Sequence, residues 1–437
     1  MAYKILSLDG GGSWAMIQAR VLKDIYGDIY GHALLQQFDM VIANSGGSMV
    51  LAALCNNMRI GDIIDVFATE SKRTQIFSHL TLREEVQNIV SLFEKYTKIG
   101  PKYSTPRKLL GLRDILISSQ VNPKDRSLPK AVADSYLDEL PTFIGKPDLQ
   151  LIIMGYDYFR RRANFFRSNP NSATNKFSGS FPRVTLANAV HASSNAPVNY
   201  FNEPATIKTN QVIGDVQDER TTWFWDGAVG GFNNPVLAGL IEATTNSFAA
   251  NPKDYHILSI GTGTGDKAVI TDYDGSTNPD TEAIYRANLN NPLAVTDHSF
   301  HFLHDVEEIS TSILADPPDT DTFIAYSILH PTLENNGTLV RINPCFTPLL
   351  NTTTKKYDYP DVYANAQGDY RNLLELDMDA VQQDQVNLII SLCDKFIVND
   401  VTKPRLTNQL IRGQYDKGTY LGHKYYKEAK NRWEELL

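Results

Sequence analysis

The chain has 437 residues, room for one large domain or two to three ordinary ones, and its 42% hydrophobic and 21% charged residues are those of a globular rather than a disordered protein. A net charge of −9 argues against a nucleic-acid polymer as partner, since that needs a clustered basic excess. Three scattered cysteines, Cys55, Cys345 and Cys393, make neither a CxxC pair nor an even disulfide framework, and they fit a reducing cytoplasm.

In chain order, MAYKILSLDGGG lacks the basic region and long apolar core of a signal peptide and reads as a short buried strand entering a glycine turn. SWAMIQARVLKDIYGDI then places Met16, Ile17, Val21, Leu22 and Ile25 at helical spacing. FDMVIA reads as a second strand and GGSMVLAALCNN as the helix after it. The opening is therefore β-turn-α-β-turn-α, the mark of a parallel sheet covered by helices. Residues 59–120 read as helical with a break at KIGPKYSTPRK, DLQLIIMGYDYF as a strand, RSNPNSATNKFSGSF as a loop, and HILSIGTGTG as a strand ending in glycines. GDKAVITDYDGSTNPDTEAIYRANLNNP is polar and aperiodic, and GTLVRINP is a late strand. YRNLLELDMDAVQQDQVNLIISLCDKFIV and YYKEAKNRWEEL read as helices. No apolar run is long enough to span a bilayer, so a lipid would be met from outside. The expectation is an α/β fold with a mainly parallel central sheet between helices. Residues 1–345 form the main domain, and 346–437 form a helical region packed on it.

Three short stretches carry chemistry. Ala43-Asn44-Ser45-Gly46-Gly47 lies between a buried strand and a helix, where a nucleophile elbow of the GxSxG type needs small residues two before and two after its serine. A glycine-softened junction explains the same letters equally well. Ser48 is the weaker rival, because Val50 falls where a small residue is required. Asp9-Gly10-Gly11-Gly12-Ser13 opens a helix after a strand, and its successive N–H groups suit an anion nest, an oxyanion hole, or simply a tight turn. Trp223, Phe224 and Trp225 run into Asp226-Gly227-Ala228, where Asp226 is either a partly desolvated base or the head of an Asx turn. His191 is a site-proximal candidate without a clear role as base. His298, His301 and His304 are spaced i, i+3, i+6, which drifts around a helix, so neither a metal site nor a cofactor is expected.

Together and in this order, DGGGSWA (Asp9 to Ala15), ANSGG (Ala43 to Gly47) and DGA (Asp226 to Ala228) resemble the patatin-like phospholipase family of bacterial and other lipid acyl hydrolases. Its patterns are DGGGxRG, GxSxG and DGA or DGG. HASSNAPVNYF, ILSIGTGTG and GPKYS are also similar, and the resemblance covers roughly residues 3–345. It implies a three-layer α/β/α fold and a Ser45–Asp226 dyad that works without histidine. The oxyanion hole would be built from Gly10, Gly11, Gly12 and Gly46. It also implies hydrolysis of fatty-acyl esters of glycerophospholipids through an acyl-enzyme, by a cytoplasmic protein that is peripheral at the membrane when it acts. Trp14, Trp223 and Trp225 are candidates to line the acyl channel. By analogy with antiphage members, a cyclic nucleotide is the expected class of activator. Three departures stand out: Ala43 replaces the elbow's first glycine, Trp14 the arginine and Ala15 the last glycine of the first block. Trp14 and Ala43 motivate a second reading, a decayed binding or signalling protein on the same scaffold. A third, a sugar-kinase-like ATPase, would use DGGGS and GTGTG as phosphate loops and leaves ANSGG and WDGA unexplained.

Overall fold

The computed structural model describes residues 2–81, 101–118, 131–178, 181–213, 216–265, 267–270, 279–296, 319–398, 402–412 and 420–437. His298, His301 and His304 lie outside them.

β1 (Tyr3–Leu8) leads through the glycine turn into α1 (Met16–Tyr26), and β2 (Met40–Ala43) leads into α2 (Ser45–Cys55). α3 (Ile60–Ala68), α4 (Glu70–Ile76) and α5 (Thr105–Ser118) follow, then the hairpin of β3 (Gln150–Asp157) and β4 (Arg162–Arg167). Beyond β5 (Phe181–Arg183) and α6 (Leu186–Ser193), β6 (Ala205–Ile213) and β7 (Val216–Asp226) form a long antiparallel ribbon. α7 (Val236–Thr245), β8 (Tyr255–Ile260) and β9 (Leu339–Ile342) complete the sheet layer, and α8 (Gln367–Leu374), α9 (Gln383–Ile397) and α10 (Tyr426–Leu436) follow. The nine-stranded sheet runs β9-β8-β1-β2-β3-β7-β6-β5, with β4 on β3. Its five strands from β9 to β3 are parallel. From β3 onward the pairing is antiparallel.

The parallel strands are largely apolar because helices cover both faces, as parallel sheets require. β2 is buried throughout, and so is every residue of α2. One face packs on α1, α2 and the C-terminal helices, with Leu6, Val41, Val50, Val386, Ile389 and Trp433 in one cluster. The other packs on α7 and residues 325–329, with Ile5, Met40, Ile42, Val236 and Leu240. This is the α/β/α architecture expected. Two polar stretches are more ordered than expected: Ala173–Ser178 and Pro279–Asn288 are helices.

Register decides where the chemistry sits. Leu8, the last residue of β1, pairs with Ala43 at the end of β2 and with Ile260 at the end of β8. The glycine turn, the Ser45 turn and the GTGTG turn therefore emerge side by side at the carboxyl ends of the parallel strands, where open α/β sheets bind ligands. β7 runs the other way beside β3 and brings Asp226 opposite Gly155.

Candidate active site

Ser45 sits at φ +46°, in the left-handed region, while Asn44 before it is extended at φ −126°, ψ 151°. A serine held there is strained by roughly 1–3 kcal/mol and persists only where its surroundings enforce it. Here they do. The Ser45 N–H donates to Ser193 Oγ on α6 (2.9 Å), so the start of α2 is capped by a residue far away in sequence. Ser48 Oγ donates to the Ser45 carbonyl (2.6 Å), which makes Ser48 a brace for the turn. Gly46 is required by close approach, since a Cβ there would lie 2.6 Å from the Gly12 carbonyl and 2.8 Å from the Gly12 nitrogen. Ala43 is fully buried in the main core, which houses its methyl group.

Asp226 is buried at the end of β7. Its carboxylate accepts from the Ala228 N–H (2.9 Å) and from Asn44 Nδ2 (3.1 Å), and the Ser45 hydroxyl lies beside it. Burial raises its proton affinity, and these three donors together with the Lys108 charge oppose that rise. Asn44 does not itself cap the helix; it spends its amide on Asp226, while its Oδ1 accepts from Ser193 Oγ (3.3 Å). The Asp226 N–H donates to the Asn195 carbonyl (3.0 Å). The arrangement can move a proton from the serine hydroxyl to a partly desolvated carboxylate. His191 makes no hydrogen bond to either residue. It is buried with Nδ1 unpartnered, and burial, with the charge of Lys108 added, holds it neutral.

Of the four glycines expected to donate to an oxyanion, Gly10 is corrected: its N–H is spent on the Asn233 carbonyl (2.8 Å). Gly11 and Gly12 adopt φ +153° and +54°, and Gly12 lies against Gly46. No acceptor among the described residues takes the N–H of Gly11, Gly12 or Gly46. The GTGTG turn is filled from within the protein. Thr262 Oγ1 donates to the Gly10 carbonyl (2.7 Å), Gly263 N–H to Asn343 Oδ1 (2.6 Å) and Thr264 N–H to the Pro344 carbonyl (2.8 Å). The spent donors and close walls of that turn are those of a support, not an open phosphate loop.

The three tryptophans are also corrected. The cleft over Ser45 is lined by Gly12, Met49, Phe77, Ser194, Ala196, Tyr200, Phe201, Met378 and Asp379. Trp14 instead stacks on Phe346 (5.7 Å, 8°) and donates Nε1 to the Asp377 carbonyl (3.0 Å), tying the glycine turn to the C-terminal region. Trp223 is 41% exposed and stacks on Phe159 (5.1 Å). Strand alternation puts Trp223 and Trp225 on one face of β7 and the buried Phe224 on the other, against Phe166.

Residues 375–382, between α8 and α9, form a strap across this cleft. The Met378 carbonyl accepts from the Ser13 N–H (3.0 Å). Asp379 accepts from Tyr103 (2.7 Å) and pairs with Lys102 (3.2 Å), which also pairs with Asp377 (3.3 Å). Buried Arg73 donates twice to the Val381 carbonyl (3.0 and 2.7 Å). Below the strap, Met49 also borders an apolar recess with Ala52, Ala53, Val66, Phe67 and Leu112. Sequence reasoning missed Asn44, Ser193 and the strap. Only Asn44 had a local signal, as the residue before the candidate serine.

The solved structure of VipD from Legionella pneumophila is similar at 12% identity over 90% of this chain and 67% of that one, with TM-score 0.32. Full-length ExoU in complex with SpcU, from the type III secretion system of Pseudomonas aeruginosa, is similar at 11% identity over 73% and 52%, with TM-score 0.27. A structure of the type III effector ExoU alone is similar at 12% identity over 75% and 54%, with TM-score 0.24. The chain thus spans about half the length of the chains matched in these last two structures. A sequence search of curated proteins finds no match. The family profile described as patatin-like phospholipase matches residues 6–240, which takes in the glycine turn, the Ser45 turn and Asp226. That match covers more than half of the chain, and the protein belongs to the patatin-like phospholipase family.

Proposed function

We propose that the protein is a serine-dependent lipid acyl hydrolase of the phospholipase A type, with Ser45 as nucleophile and Asp226 as its base. The observation that carries this reading is the strained Ser45 turn set beside a buried carboxylate already aligned by Asn44 and Ala228. Ser45 Oγ attacks the ester carbonyl while Asp226 takes the hydroxyl proton. The N–H groups of Gly11, Gly12 and Gly46 stabilise the oxyanion; each such donor contributes on the order of 10²–10³ in rate. Asp226 returns its proton to the departing lysolipid oxygen, then activates the water that hydrolyses the acyl-enzyme. The recess beyond Met49 borders the cleft and its lining is apolar, so the first carbons of an acyl tail would enter the cleft on that side. No helix among the described residues is long and apolar enough to cross a membrane, so the substrate would be taken from a membrane surface.

The intact Ser45 and Asp226 geometry favours catalysis over the decayed reading, and the spent donors of GTGTG disfavour the kinase reading. Fluorophosphonate labelling of the full chain in the presence of phospholipid vesicles, with the adduct mapped, tests the proposal. Expected is labelling at Ser45 that is lost in folded Ser45→Ala and Asp226→Ala; labelling elsewhere, or persisting in Ser45→Ala, overturns it. Adding a panel of cyclic nucleotides tests the expected activator, and unchanged rates across the panel refute that part alone.

A further inference from the structure

Lys108 is a buried cation that the chemistry above does not use. It lies on α5, is 0% exposed, and donates Nζ to the His191 carbonyl (2.9 Å) and to Asn195 Oδ1 (2.9 Å). The same nitrogen sits 4.2 Å from the centre of the Phe201 ring, and Phe201 lines the Ser45 cleft. Lysine is almost never fully buried without a countercharge. Among the described residues no carboxylate pairs with it; burial pushes its proton affinity well below that of a free lysine, and the charge of Asp226 acts against that. The link is also mechanical: Asn195 holds Lys108 with its side chain and receives the Asp226 N–H on its carbonyl (3.0 Å).

Each of the two groups is held by several partners. Asp226 accepts from Asn44 and Ala228 and lies beside the Ser45 hydroxyl. Lys108 meets two oxygen acceptors and the negative face of a ring. Around the pair, α6 contributes His191 and Ser193, the turn after it Asn195, the turn before α2 Asn44, and the start of α2 Ser45. His191 is buried and held neutral.

We propose that Lys108 is a positioning residue of this site: through Asn195 it fixes the turn that carries Asp226 against Ser45. Lys108 has this role only if Ser45 and Asp226 react as set out above.

The test uses the full chain with Lys108→Met, which keeps the stem and removes the charge, and Lys108→Gln, which keeps a donor without the charge. Ser45 labelling by a fluorophosphonate and hydrolysis of a short-chain ester are followed from pH 5 to 9 beside a thermal melt. Expected is Ser45 labelling about ten-fold slower in folded Lys108→Met across the pH range, and largely restored in folded Lys108→Gln, whose amide can still donate to Asn195 Oδ1. An equal loss in both folded variants, or no loss in either, means that Lys108 only packs, and overturns the proposal alone. Labelling that persists in Ser45→Ala overturns the dyad itself, so the two failures are told apart.

Discussion

Replacing Asp226 by Asn changes the fewest atoms and asks the most of the dyad. The amide oxygen of an asparagine still accepts from Ala228 and Asn44, so the turn keeps its hydrogen bonds. Facing Ser45, however, an NH₂ group stands where a carboxylate accepted a proton. General-base catalysis contributes about 10²–10⁴ in rate, or about 3–5 kcal/mol of barrier, and that is the expected loss in kcat/KM for a soluble ester and in Ser45 labelling. Stability moves the other way. Burial raises the Asp226 carboxyl above its ordinary value, so the folded state holds that proton more tightly than the unfolded chain. As pH rises from the unfolded value of about 3.9 through the folded one, ionising Asp226 costs stability. The variant has no such cost. Its melting temperature at pH 7–8 should equal or exceed that of the wild type, and the difference should shrink as pH falls toward 4. Ester hydrolysis, adduct mapping and thermal melts on the same preparations check both. Activity within ten-fold of wild type in the folded variant refutes Asp226 as base. Lost activity with a sharply lowered melting temperature at pH 7–8 refutes the claim that the loss is chemical.

Gly46→Ala drives a methyl group to within 2.8 Å of the Gly12 nitrogen, and labelling of Ser45 should fall by about 10²–10³; a normal rate in mass-spectrometric labelling would show that these N–H groups do not serve an oxyanion. Ala53→Phe fills the recess beyond Met49 at an overpacking cost of about 1–3 kcal/mol, and the ratio of kcat/KM for long-chain over short-chain esters should drop at least several-fold, so an unchanged ratio places the acyl tail elsewhere. Asp379→Asn weakens the grip of Tyr103 and Lys102 on the strap, and limited proteolysis should cut residues 375–382 faster than in the wild type. Burial pushes Asp9 up to about 6 and Asp321 up to about 7. Both protons favour the folded state, so stability should fall from pH 5 to pH 8, and Asp321→Asn should flatten that slope in urea titrations. Trp14→Ala removes a buried ring and its bond to Asp377, with an expected cost of about 3–5 kcal/mol by denaturant unfolding.

The sheet strands were legible where apolar runs met turn residues, as in KILSL before DGGG and MVIA before NSGG, because short-range burial and turn chemistry fix them. Ala173–Ser178 and Pro279–Asn288 were not, because helices rich in polar residues carry no apolar periodicity. Trp14, Trp223 and Trp225 were misplaced for a related reason. Bulky aromatics near a motif suggest a channel, but the strand period and the Phe346 stack turn them away from Ser45.

The sequence alone determined the α/β class and the three blocks around Gly11, Ser45 and Asp226, since each is a local strand-to-turn pattern readable within about ten residues. Tertiary structure decided what those blocks do to one another. It spent the Gly10 N–H on Asn233, turned the Asn44 side chain from a helix cap into a clamp on Asp226, and braced Ser45 with Ser193. It laid Met378 over Gly12 and buried Lys108, a residue that in KYSTPRKLLGLRD reads like any lysine on a solvated helix. Each of these contacts joins residues far apart in the chain. The free energy of burying a charge or spending a hydrogen-bond donor depends on what packs around it, which no window of neighbouring letters contains.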